Sequence, residues 1–364
     1  MKLIITKKNL LKSTNIVSKA VPDKTVMEIL TCVLLTAKDN ELSLYANDME
    51  LAITTKVDCL VEEEGILAVN AEMLCEMAKR LPDGDVSLIT DGTQLIINAP
   101  DITLTLPTMD HTVFPPMPEV DRDNSIVIPQ NTLESMITQS IFARAEAEKN
   151  EIFKGLNLKV KDKKAYITGL DQKRIAIRSC DITSDITENT ILPGKTMDKL
   201  KKILWMDDAD VTISITHSLV MFVFDRTMIV SRVIDGTYMD IDRMIDARKP
   251  ITKAVISKAA LLSCLDRALL LEKTENMMPV IFRLENGKLN ISLRTSRGVL
   301  NENTSAIVTG EDILIGFDPR VFTDMLKVYD GDTVTMEFCG NAKPCFICTE
   351  DNTFIYIAMP VMIR

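Results

Sequence analysis

Val33-Leu34-Leu35-Thr36-Ala37-Lys38-Asp39-Asn40-Glu41-Leu42-Ser43-Leu44 reads as an apolar strand, a tight turn and a returning strand. The phrase recurs as Leu156-Asn157-Leu158-Lys159-Val160-Lys161-Asp162-Lys163-Lys164-Ala165-Tyr166-Ile167 and as Ile281-Phe282-Arg283-Leu284-Glu285-Asn286-Gly287-Lys288-Leu289-Asn290-Ile291. Matching positions lie about 123 to 125 residues apart. A second phrase keeps the same spacing: Leu81-Pro82-Asp83-Gly84-Asp85-Val86-Ser87-Leu88, Met206-Asp207-Asp208-Ala209-Asp210-Val211-Thr212-Ile213 and Tyr329-Asp330-Gly331-Asp332-Thr333-Val334-Thr335-Met336. Each copy follows a helical stretch and reopens an alternating strand. Three copies of one domain are expected, at residues 1–122, 123–248 and 249–364.

A finer period lies inside the first. Short apolar strands running into helix openers recur roughly every 60 to 64 residues: Leu3-Ile4-Ile5-Thr6, Ile66-Leu67-Ala68-Val69-Asn70, Ile126-Val127-Ile128-Pro129, Thr190-Ile191-Leu192-Pro193, Ala254-Val255-Ile256-Ser257 and Ile313-Leu314-Ile315-Gly316-Phe317-Asp318. Thr, Asn, Ser and Asp cap exposed helix amides, and Pro is tolerated in a first helical turn. The fold class is therefore α+β, each domain being two copies of a strand-helix-strands unit.

Composition agrees. A chain of 364 residues exceeds one core and suits three domains of roughly 120. No apolar run reaches the roughly 18 to 20 residues of a membrane span, and no signal-peptide pattern opens the chain, so a cytoplasmic protein without membrane attachment is expected. The eight cysteines are too scattered for a disulfide framework, and Cys32, Cys75 and Cys264 read as small apolar residues. In a strand, Cys345 and Cys348 point to opposite faces and cannot share one metal ion.

The net charge of −10 argues at first against a polyanionic partner. Its placement argues otherwise. The first helical segment carries Lys7, Lys8, Lys12 and Lys19, with Lys24 just after it; the fourth carries Lys195, Lys199, Lys201 and Lys202 against Asp198. Acidic residues gather in strands and turns, as in Glu62-Glu63-Glu64 and Asp207-Asp208. For one helix this is an ordinary solvated face; recurrence on equivalent helices implies two electrostatic faces. The second helix balances Lys79 and Arg80 with Glu72 and Glu76, and the third is slightly acidic.

Catalytic chemistry is thin. His111 and His217 are the only histidines, and neither has metal-ligand spacing. No phosphate loop, dinucleotide fingerprint or nucleophile elbow occurs, and Asp48 and Asp171 read as turn residues. No enzyme, cofactor or metal is expected.

Phe114-Pro115-Pro116-Met117-Pro118, Ser231-Arg232-Val233-Ile234-Asp235-Gly236, Ile315-Gly316-Phe317-Asp318-Pro319-Arg320 and Ala358-Met359-Pro360-Val361, in this order and together with the threefold repeat, resemble the bacterial sliding clamp, the beta subunit of DNA polymerase III. The resemblance spans the whole chain. It implies three DNA-clamp domains and a head-to-tail homodimeric ring with inner helices and outer antiparallel sheets. It also implies a processivity role on double-stranded DNA, held without base reading, in the cytoplasm and at the nucleoid. Its implied partners are the clamp loader, the replicative polymerase catalytic subunit and other proteins with a clamp-binding motif.

By that resemblance Lys12, Lys24, Lys79, Arg80, Arg144, Lys195, Lys199, Lys201 and Lys202 would face DNA, Lys24 matching a family arginine beside the duplex. Paired aromatics of the family stand here as Glu151 and Ile152. A pocket for a short Gln- and Leu/Phe-containing partner peptide would use Phe153, Leu170, Gln172, Lys173, Arg174, Ile175, Met239, Arg243, Met244, Pro344, Ile357, Met359, Pro360 and Val361. Departures are Gln172-Lys173 for a common Gly-His pair, Met239 for a proline, and one extra residue in the tail Val361-Met362-Ile363-Arg364. The ring interface would fall near Phe114, Leu270 and Leu271. Two rival classes remain at this point: an enzyme, which needs a convergent polar cluster, and a protein-only scaffold with incidental basic helices.

Overall fold

The three repeated phrases fold as three antiparallel hairpins: Cys32–Lys38 with Glu41–Asn47, Gly155–Lys161 with Lys164–Leu170, and Val280–Glu285 with Lys288–Thr295. Both central residues of each two-residue turn have positive φ: Asp39 and Asn40, Asp162 and Lys163, Asn286 and Gly287. That backbone twist matches the right-handed twist of the flanking strands, and it favours Asp, Asn and Gly. The computed structural model describes residues 1–204, 208–272 and 278–363. Met206 and Asp207 of the second repeat phrase and Arg364 of the tail lie outside the described residues.

Each of the six openers is a strand followed by a helix. The helices are α1 (Lys7–Val17), α2 (Ala71–Arg80), α3 (Gln130–Ile141), α4 (Gly194–Lys201), a short α5 (Asp242–Asp246), α6 (Lys258–Leu271) and α7 (Pro319–Val328). Side chains of Thr6, Asn70, Ser257 and Asp318 accept from backbone N–H groups in the first turns of α1, α2, α6 and α7. Pro129 and Pro193 do not enter a first helical turn. They end the strands Ser125–Pro129 and Glu188–Pro193, each at the edge of its sheet, where a residue without an N–H disturbs the ladder least.

The chain forms two compact units, one of Met1–Asn131 with Lys202–Val233 and the other of Thr132–Lys201 with Ile234–Arg364. In the first, a 13-stranded sheet runs across the repeat border, because Thr227–Ser231 pairs antiparallel with Leu51–Thr55. Thr55 and Thr227 also share a buried hydroxyl contact of 2.9 Å. In the second, a 9-stranded sheet crosses the next border, where Arg174–Arg178 pairs with Phe354–Ala358. The strands used are equivalent in the repeat: the last of one domain joins the one after the hairpin of its neighbour.

Helices pack against these sheets through apolar stripes. α1 buries Leu10, Ile16 and Val17, and Asn15 Oδ1 lies 3.3 Å from Cys75 Sγ of α2. In the third repeat the ring centroids of Phe282, Phe317 and Phe322 lie within 5.5 Å of one another, Phe282 stacked on Phe322 and Phe317 edge-on to both. Gly169 lets its strand approach the end of α3: an added Cβ would lie 2.2 Å from the backbone oxygen of Ser140. Gly169→Ala should therefore destabilise the protein by about 1–3 kcal/mol, read from the shift of its denaturant midpoint.

Candidate functional site

Ladder register builds an apolar hollow in the second unit. Leu170 lies opposite Ile175, and Ile175 opposite Ile357, so three side chains from adjacent strands share one sheet face. They join Ile177, Ile191, Tyr238, Ile241, Cys339 and Phe346 in one buried cluster, with Phe153, Met244 and Met359 half-buried against it. Six of the expected wall residues are thus brought together. Met239 is exposed beside them, Arg243 is exposed on α5, and Pro360 is half-buried at the tail. Pro344 stands in the turn before Cys345 and is not part of this cluster. Val361 donates its N–H to Gly316 O at 2.8 Å, tying the tail to the strand Ile313–Phe317.

Tyr238, Ile241 and Ile245 were not expected here. They cover the sheet face, and the Tyr238 hydroxyl donates to Thr168 O at 3.3 Å. Burial pushes that phenol well up. Their signal was available in the sequence, since the three positions have the spacing of one helix face.

The polar groups are strapped down. Asp171 accepts from the backbone N–H groups of Lys173 and Arg174 at 2.7 and 2.9 Å, which makes it the turn residue expected from the sequence. The Arg174 guanidinium bonds Asp171 and Asp324 at 3.1 and 2.6 Å and lies over the Phe142 ring. Gln172 Nε2 donates to Glu148 Oε2 at 3.1 Å, and Lys173 Nζ to Asp318 Oδ2 at 2.8 Å.

The expected DNA-facing cations fall in both units. In the first, Lys12, Lys24, Lys79, Arg80 and Lys202 are exposed, with Lys79 and Arg80 both paired to Glu76. In the second, Lys195 is exposed, while Lys199 and Lys201 are half-buried on α4. Arg144 departs from expectation. Its side chain is 16% exposed and its Nη2 bonds Asp198 Oδ2 at 2.8 Å, so its charge is spent within the fold. Phe114 also needs correcting, since it is buried against Ile29, Leu30 and Ala52 with its ring 5.4 Å from that of Tyr45. It cannot present its side chain at a surface. Leu270, in contrast, is 74% exposed, and Leu271 packs beside Gly298.

No group of three His, Cys, Asp or Glu among the described residues has metal-binding geometry. Cys345 is fully buried, which pushes its thiol far up; burial raises Cys348 to about 11 against the opposing charge of Arg248, with a smaller push from Glu337. Among the described residues no helix is long and apolar enough to cross a membrane.

Domain models of the DNA polymerase III beta subunit match residues 1–118 (N-terminal domain), 127–240 (central domain) and 247–362 (C-terminal domain). The chain belongs to the DNA polymerase III beta subunit family. The beta sliding clamp of Bacillus subtilis (strain 168) is 29% identical, with 99% of each chain covered. That of Staphylococcus epidermidis is 27% identical over 97% of this chain and 96% of its own. A solved DNA polymerase sliding clamp from Bacillus subtilis superposes with a TM-score of 0.94 at 28% identity, covering 100% of both chains. A solved chain from Eubacterium rectale ATCC 33656 is 38% identical with a TM-score of 0.93, covering 99% of both. The function is that of a DNA sliding clamp, a non-catalytic processivity factor, and the enzyme reading falls.

Near the clamp hollow, Glu337 is 5% exposed and holds Arg248 at 2.6 Å and Lys253 at 2.7 Å, with Arg248 over the Phe346 ring. Burial alone would raise its carboxyl, but hydrogen bonds and charge from Lys253 and Arg248 outweigh that and hold it below the usual value. It therefore contributes stability that is present at neutral pH and is lost as pH falls through its lowered value. Glu337→Gln should flatten the acid limb of thermal stability below about pH 5, measured by a series of melting curves.

Proposed function

We propose that two copies of this chain close head to tail into a ring around double-stranded DNA, and that partners dock in the hollow of the second unit. The observation that carries the ring is a missing junction. The repeat joins neighbouring domains by one rule, as Leu51–Thr55 with Thr227–Ser231 and as Arg174–Arg178 with Phe354–Ala358. The remaining equivalents are Gly298–Thr304 and Ile102–Met109. Gly298–Thr304 ends its four-stranded sheet, and Ile102–Met109 has a ladder partner on its outer side only at Thr108 and Met109. Open edges of this length are templates for pairing, and a second copy supplies the partner strand for each. The exposed Leu270 stands on α6, and the edge strand next to Leu271 adds Val299, 67% exposed. Domain borders at residues 122 and 248 fit this scheme, both lying outside helices and strands.

Lysines on equivalent helices would attract phosphates without reading bases, giving a salt-sensitive hold that permits sliding. Lys12, Lys24, Lys195 and Lys202 carry most of this role, with Lys79, Arg80, Lys199 and Lys201 adding to it; Arg144 acts by bracing α4. The hollow around Leu170, Ile175, Ile357 and Met244 suits the apolar anchors of a short peptide from the clamp loader, the polymerase or other motif-bearing proteins. Its methionines adapt to different partners. The setting is the cytoplasm, at the nucleoid.

Solution mass tests the ring. Light scattering at micromolar concentration should give about twice the chain mass of 40.7 kDa. Leu270→Asp should reduce it to a single chain mass while leaving the far-ultraviolet circular dichroism spectrum unchanged, because Leu270 is exposed in the monomer. A wild-type monomer across this range would contradict the ring. A Gln- and Leu/Phe-containing peptide should bind saturably, and Ile175→Asp should abolish that binding.

A further inference from the structure

Beside the apolar hollow lies a polar cleft of about 380 Å³, lined by residues 145–148, by 171–174, and by Asp318, Arg320, Val321 and Asp324 of the start of α7. Its turn 171–174 joins Leu170 to Ile175 of the hollow, and Lys173 O accepts from the N–H of Met359 at 2.8 Å, so a peptide anchored in the hollow would send its flanking residue into the cleft.

The charges of the cleft are unequal. Its three bases are each committed: Lys173 to Asp318, Arg174 to Asp171 and Asp324, and Arg320 to Glu272. Glu146 and Glu148 also line it, and among the described residues neither has a cation at ion-pair distance; Glu148 accepts only amide hydrogen bonds, from Gln172 Nε2 and the Lys149 N–H. The ion pair at its centre is lopsided. Asp318 is 3% exposed and caps α7 by accepting from the Arg320 N–H at 3.0 Å, so it is fixed in place. The Lys173 side chain is 47% exposed and comes from a hairpin turn, so it is the member of the pair that a cation from solvent can reach and replace. A buried carboxylate cannot stay unpaired, and whichever cation replaces Lys173 gains the desolvated partner.

We propose that the cleft is the seat for a basic residue of the partner peptide, a lysine or arginine flanking its apolar anchors. Lys173 occupies that seat until the partner displaces it. The proposal rests on the hollow being a peptide site. It turns Gln172-Lys173 from a neutral departure into a selectivity device: Gln172 holds Glu148 at the rim, and Lys173 favours a competing cation over a neutral residue.

Fluorescence anisotropy on the full chain tests it, with three labelled peptides that share one Gln- and Leu/Phe-containing core and differ in a single flanking residue, Arg, Gln or Glu. The Arg peptide should bind wild type about threefold to fivefold tighter than the Gln peptide and the Glu peptide weaker than either, with the differences shrinking in high salt. Lys173→Met should widen the ratio of Arg to Gln affinities, and Glu148→Gln should narrow it. Glu148 is on the rim, so that variant keeps the test valid if Lys173→Met fails to fold. Equal affinities for the three peptides on wild type, or ratios that neither variant moves, would overturn the seat while leaving the hollow as a peptide site. Absence of binding by all three would remove the hollow itself, and the seat with it.

Discussion

Main-chain ladders that cross the repeat borders are the constraint on which the rest of this structure depends. Thr227–Ser231 on Leu51–Thr55, and Phe354–Ala358 on Arg174–Arg178, turn separate domains into continuous sheets. Such a joint uses obligatory backbone donors and acceptors, so it is directional and leaves little freedom of hinge. It also fixes what can lie on the sheet face. The register that joins Arg174–Arg178 to Phe354–Ala358 also sets Ile175 beside Ile357, which makes the floor of the hollow. One ladder thus serves as both joint and floor of the hollow.

Electrostatics follows the same division. A protein of net charge −10 that holds DNA needs its cations gathered locally, and α1 with Lys7, Lys8 and Lys12 and α4 with Lys195, Lys199 and Lys201 carry such clusters. The arrangement is uneven. Glu76 neutralises much of α2, and Arg144 is consumed by Asp198, whereas Lys195 and Lys202 stay exposed around α4. Weak, distributed attraction suits a clamp that must not stop on any sequence.

Much of the fold was legible because hairpins and helix starts are local events. Asp39-Asn40 and Asn286-Gly287 announce their turns, and Thr6, Asn70, Ser257 and Asp318 announce their helices. Partner strands across a repeat border have no local signal, so the ladders had to be seen. The hollow was legible in part. Leu170, Ile175, Ile357, Phe153, Met244 and Met359 converge, yet the spacing of Tyr238, Ile241 and Ile245 falls in a connecting segment and does not show which sheet face it covers. Phe114 and Arg144 failed for a common reason: residue type alone does not show whether a ring or a guanidinium is already satisfied from within, here by Tyr45 and by Asp198. A proline cluster beside Phe114 looks like a surface loop whichever way the ring turns.

Retention on DNA tests the central claim most directly. The protein is loaded onto nicked circular DNA with a clamp loader, passed through a sizing column at raised salt, and compared before and after the circle is cut once. A topological hold predicts that protein stays with the circle through the salt and leaves promptly when the DNA is made linear. Salt-labile binding that is the same on circular and linear DNA would contradict it, and would mean that contacts, not closure, hold this protein to DNA.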